Sequence, residues 1–158
     1  MSVFAILALL SSPAVAGSTT PFDLSSRTIV ATFHAEGAQV YECKAASSGG
    51  GLAWTFREPI ATLIDNGKTV GRHFAGPHWL LDDGSLVQAR VAETLAGSTS
   101  ADIPILKLDV IQNEGRGRLG GATEVYRVNT RSGVLQGACG KPGELRSMSY
   151  SADYVFAR

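Results

Sequence analysis

Polar and apolar residues alternate along much of the chain. Leu52, Trp54 and Phe56 take turns with smaller or polar neighbours, the period-2 pattern of a strand that buries one face. Thr28–Phe33 is a β-branched run, and Gly37–Cys43 follows it after a short Ala-Glu-Gly turn. Asp65-Asn66-Gly67 separates Ala61–Ile64 from Thr69–Phe74, and Asn-Gly accepts the positive φ angles that a hairpin turn demands. Asp82-Asp83-Gly84 repeats the device before Ser85–Val91. Ile105–Ile111, Ala122–Val128 and Tyr150–Phe156 complete the set, roughly nine or ten strands at the regular spacing of an all-β fold. No stretch beyond residue 20 sustains a helical i, i+3, i+4 pattern, and Ala92–Ala96 has room for one helical turn at most. The expected architecture is all-β: one antiparallel β-sandwich or barrel over residues 17–158.

The N-terminus follows another rule. Met1 to Ala16 carries no charged side chain and closes on Ala14-Val15-Ala16, which reads as a secretory signal peptide cleaved before Gly17. The alternative is a buried N-terminal strand or helix. The run is too short to span a bilayer, and no other segment approaches a membrane helix, so a transmembrane protein is not expected.

Charge narrows the partners. The 158 residues hold 14 Lys+Arg against 14 Asp+Glu, so the surplus of cations that binds a phosphate backbone is missing, and no nucleic-acid partner is expected. Cys43 and Cys139 are the only two cysteines and form no CxxC pair. In an oxidising compartment they would join as one disulfide worth about 4 kcal/mol; two free thiols are the alternative. The N-terminal run and the cysteine usage together point to a secreted or periplasmic protein.

Three groups of residues carry candidate chemistry. Gly115-Arg-Gly117-Arg-Leu-Gly120 matches GxGxxG, yet a strand pattern follows where a dinucleotide site needs a helix, so it reads as a hairpin loop with two exposed arginines. Gly71–Trp79 is denser: Arg72, His73, His78 and Trp79 lie together, with Asp82 and Asp83 just beyond. Imidazole binds metals and moves protons near neutral pH, with His34, Asp82 or Asp83 as a further ligand supplied by the fold. Against that stands a plain packing role, with Phe74 and Trp79 in the core and His73 bonded to backbone. The third group is aromatic: Tyr41, Trp54, Phe74, Trp79, Tyr126, Tyr150 and Tyr154 could line a cavity in a small barrel or pack its core. Neither a nucleophile elbow nor HExxH nor a P-loop occurs, and no motif calls for a cofactor or a metal.

One ordered series of motifs resembles a known family. It runs through Gly37–Cys43, Trp54-x-Phe56, Pro59-x-Ala61-x-Leu63, Val70-Gly71-x-His73-x-x-Gly76-Pro77-x-Trp79 and Asp83-Gly-Ser85. It continues through Ile103-Pro104-x-Leu106-x-Leu108, Arg127–Thr130, Gly137-x-Cys139 and Tyr150-x-Ala-Asp-Tyr154. This order is similar to the family called domain of unknown function 3455, which implies a secreted β-rich domain and brings no established activity. The functional expectation is a non-catalytic binding module for a small molecule or an envelope component, with His73, Trp79, Arg72 and Asp83 as candidate contacts. An enzyme using His73 with Asp82 or Asp83 is one alternative, and a structural envelope protein is another.

Overall fold

The structure is a computed structural model and describes residues 21–47 and 49–158, so the expected signal peptide lies outside the described residues. Eight antiparallel strands form one sheet that closes on itself as a barrel. They are β1 (Ile29–Ala45), β2 (Leu52–Asp65), β3 (Lys68–Phe74), β4 (His78–Leu81), β5 (Leu86–Leu95), β6 (Ile105–Glu114), β7 (Glu124–Ser132) and β8 (Leu145–Ala157). Each pairs with its neighbour in sequence, and β1 closes the ring by pairing with both β2 and β8. Among the described residues the sheet is all-β and its ring has no free edge, which settles barrel against sandwich.

The strand number falls below the expected nine or ten because expected neighbouring strands run together as continuous extended backbone. Ala35, Glu36 and Gly37 pair with Leu63, Thr62 and Ala61 on one side and with Ala152, Ser151 and Tyr150 on the other. Ladders on both edges hold this segment straight, so Thr28–Phe33 and Gly37–Cys43 merge into β1. Leu52–Phe56 and Ala61–Ile64 merge likewise into β2. The gain is β4, a four-residue strand with Trp79 and Leu81 buried and His78 and Leu80 between them. Ala92–Leu95 extends β5 rather than coiling, since Glu93, Thr94 and Leu95 pair with Lys107, Leu106 and Ile105.

Gly37 shows what this close pairing requires. A Cβ there would stand 2.1 Å from the Ile60 carbonyl oxygen and 2.5 Å from Ala61 Cα, both backbone atoms that cannot swing aside. Gly37→Ala is therefore expected to cost about 1–3 kcal/mol. Urea denaturation checks it, and a midpoint equal to that of the wild type would contradict the packing described.

Period 2 sorts the side chains. Phe33, Leu63, Trp79, Val87, Leu108, Tyr154 and Phe156 fill the interior, each at most 2% exposed. Outward positions carry ion pairs such as Lys107–Glu124 and His34–Asp153. No helix among the described residues is long and apolar enough to cross a membrane. A small outer cluster of Tyr126, Val128 and Val155 is covered by Phe22 and Leu24 of the N-terminal segment.

The two ends of the barrel differ. At one end the turns 66–67, 82–85 and 115–123 meet, and fully buried Leu119 plugs the interior. Asp83 accepts from Ser85 N at 2.9 Å, Ser85 Oγ at 2.6 Å and Arg118 N at 2.7 Å. Arg118 bonds Asp65 at 2.6 Å and lies over the Phe33 ring. The GxGxxG segment is thus a loop, as expected, and its work is to close this end. Asn113 braces it by donating to the carbonyls of Leu119 and Ala122. The opposite end stays open.

Candidate functional site

At the open end a cavity of about 400 Å³ enters the barrel. That is within the usual size of a small-molecule pocket. The strand alternation that builds the core also builds its base, where His73 of β3, Trp79 of β4 and Tyr154 of β8 are at most 3% exposed. Phe56 and Val91 form an apolar rim that is half exposed. Leu106 and Leu108 of β6 line one wall, and Gln39 and Tyr41 of β1 line another.

The base is a stack of rings. His73 lies flat on Trp79 with centroids 4.5 Å apart and planes 11° apart, and Tyr154 meets Trp79 edge-on at 5.3 Å. His73 and Trp79 sit opposite one another in the β3–β4 ladder, which is why the rings superpose. His73 Nδ1 donates to the His78 carbonyl at 2.8 Å, leaving Nε2 as an acceptor. Burial pushes the His73 pKa down to about 3, and the charge of Arg127 pushes the same way against the backbone bond. The ring is neutral at physiological pH. Burial likewise raises the Tyr154 and Tyr150 hydroxyls above their ordinary range, and the two oxygens lie 3.3 Å apart.

Loops hold the mouth in shape. Asp102 accepts from Thr99 N at 3.0 Å and from Ser132 N at 2.6 Å, fixing the segment that presents Ile103 and Pro104 to the cavity. Cys43 at the end of β1 is disulfide-bonded to Cys139, with Cα atoms 5.8 Å apart. The bridge ties residues 133–144 to the β1–β2 ribbon, where Gly137 and Cys139 also bond the backbone of Trp54 and Leu52. Val134 of that segment reaches the cavity, and Tyr41 donates from its hydroxyl to the Gly133 carbonyl at 2.8 Å.

Of the residues singled out from sequence, the fold brings His73 and Trp79 together in this cavity. Arg72 is on the outer face of β3, over the Phe74 ring, and Asp83 serves the closed end. Asp82 is exposed in the same turn as Asp83, at the far end of the barrel from His73. His78 alternates outward, bonds the Ala75 carbonyl at 2.6 Å and stacks on Phe74. His34 is also outside, between Asp153 and Glu36. No group of three or more His, Cys, Asp or Glu among the described residues is placed to hold a metal ion. Of the aromatic set, Tyr41, Trp79 and Tyr154 line the cavity; Trp54 lies under Arg146, and Tyr126 packs outside against Phe22.

Sequence reasoning passed over Arg127 and Gln39. The sign was there for Arg127: it shares strand parity with buried Val125, so period 2 turns it inward. Gln39 is 3% exposed, also at an inward position, between Gly37 and Tyr41.

A larger depression lies on the outer wall between the N-terminal segment and strands β7 and β8, lined by outward-facing positions such as Thr32 and Asn129. It holds none of the unpartnered buried polar atoms, two of which belong to residues lining the barrel cavity. The barrel cavity is therefore the candidate site. Comparison with curated proteins and with solved structures finds no match. The family model described as protein of unknown function (DUF3455) matches residues 24–158, and the chain belongs to that family.

Proposed function

We propose that this protein is an exported, non-catalytic binding module whose open barrel end takes a small molecule, free or as part of an envelope component. The observation that carries it is the cavity itself: about 400 Å³, with aromatic and aliphatic walls and a few buried polar groups at the base. An eight-stranded barrel has an interior wide enough for side chains or for one small ligand. Here Leu119 and its neighbours fill one end while the other is left open. His73 and Trp79 are the contacts in this reading, and Arg72 and Asp83 lie away from the cavity. Export is supported by the Cys43–Cys139 bond, since such bonds persist in oxidising compartments.

An uncharged fluorescent naphthylamine provides the test. The wild type is expected to bind it saturably at one site, and Leu106→Trp, which fills the cavity from β6, to weaken binding at least about tenfold with the circular dichroism unchanged. Absence of saturable binding to the wild type would overturn the proposal.

A further inference from the structure

Arg127 is out of place in an apolar interior. β7 turns Val125 inward and Tyr126 and Val128 outward, so Arg127 enters the barrel, half-buried, on the cavity wall. Its Nε donates to the Pro104 carbonyl at 3.0 Å, and its guanidinium lies beside the Tyr154 hydroxyl. No carboxylate among the described residues pairs with it, whereas Arg57 at the rim is matched by Glu58 at 3.2 Å. Among the described residues no Asp or Glu lines the cavity.

Two buried nitrogens on the cavity wall share this bias. Trp79 Nε1 is a buried donor without an acceptor. Gln39 Nε2 is another: it approaches the Tyr150 hydroxyl but makes no hydrogen bond of ordinary geometry. Neutral His73 adds no positive charge of its own; its Nε2 is an acceptor, and its ring lies flat on Trp79. Taking a guanidinium out of water without a counter-charge costs free energy, as does burying a donor without an acceptor. An anion entering the cavity would give the Arg127 guanidinium the counter-charge it lacks.

We infer that the cavity takes a small organic monoanion, with one carboxylate paired to Arg127 and an apolar body lying among Phe56, Leu106, Leu108 and Trp79. The guanidinium fork matches a carboxylate with two parallel bonds. A phosphate dianion fits less well, because one unpaired cation would leave the second charge uncompensated against an apolar wall. This inference rests on the binding function proposed above and names the chemistry of its ligand.

Decanoate and decan-1-ol share one apolar chain and differ in the head group, so calorimetric titration of both at neutral pH separates the ligand class from the binding function. The wild type is expected to hold decanoate at least about tenfold more tightly, the effect of one charge-assisted bidentate pair. Arg127→Gln is expected to bring the two affinities within about twofold by weakening decanoate alone. Equal or tighter binding of decan-1-ol to the wild type would overturn the carboxylate inference and leave the binding function standing. Failure of both ligands to bind would overturn this inference, and naphthylamine binding to the same protein then decides the binding function separately. A preference for decanoate that survives in Arg127→Gln would show that Arg127 is not the carboxylate's partner. The wild-type comparison decides the ligand class even where the variant fails to fold.

Discussion

Acidification is expected to destabilise this protein well before its carboxylates are protonated, and His73 is the reason. In the unfolded chain this imidazole binds a proton near pH 6.5, whereas burial in the barrel holds it neutral down to about 3. Between those values the unfolded state carries the extra proton, so stability rises with pH and is lost as pH falls. The whole window is worth roughly 4–5 kcal/mol at 1.36 kcal/mol per pKa unit. Set against the 5–15 kcal/mol or so of a typical domain, that is a large share. Asp83 and Asp102, held below the usual carboxylate range by the hydrogen bonds of Ser85 and Ser132 respectively, add their own losses only at lower pH.

His34 runs the other way. Its bonds to Asp153 and Glu36 raise its pKa, so its contribution is fully present below the unfolded value of 6.5 and fades as pH rises through the folded one. The interval from pH 6.5 to about 4.5 therefore isolates His73, with an expected loss of about 2–3 kcal/mol by urea denaturation. His73→Asn places an amide donor where Nδ1 stands, within reach of the His78 carbonyl, and cannot titrate. Its stability should be nearly flat over the same interval. Parallel curves for the two proteins would show that His73 is not the group responsible.

Loss of the disulfide should have a comparable effect. Cys43 and Cys139 are 96 residues apart, and a link over so long a loop removes much of the conformational freedom of the unfolded chain. Cys43→Ser with Cys139→Ser is expected to cost about 4 kcal/mol in the chain-entropy account. The native consequences are local and concern the site. Residues 133–144 have no strand of their own, and the bridge joins four backbone bonds, among them Gly143 N to the Cys43 carbonyl at 2.9 Å, in holding them to β1 and β2. With the bridge gone, hydrogen exchange should quicken first in this segment, next to Val134 and the cavity mouth. A midpoint in urea unchanged by the double substitution would refute the stabilising role. Unchanged exchange in residues 133–144 would refute the bracing of the mouth.

That the chain builds an all-β antiparallel domain was legible in the sequence by itself. Leu52, Trp54 and Phe56 alternate, Asp65-Asn66-Gly67 supplies the positive φ of a hairpin, and the structure has Asn66 at φ 49° and Gly67 at φ 74°. Such features are local, carried within a few residues by backbone sterics and side-chain parity. The resemblance to a β-rich family was equally legible, because motif order survives in the sequence. Local signals erred where long-range ladders overrule them. The Ala-Glu-Gly segment before Ala38 looks like a turn, and only pairing to Ala61 and Tyr150 on both flanks keeps Gly37 extended. Asp83 and Arg72 stood close to His73 in the chain, and the barrel sent one to the closed end and the other outside. Arg127, far away in sequence, was brought to the cavity that His73 lines instead. Closure of the sheet decides which parity faces inward and which end stays open. That is a property of the whole ring of strands, so the cavity and its unpaired cation belong to the tertiary structure alone.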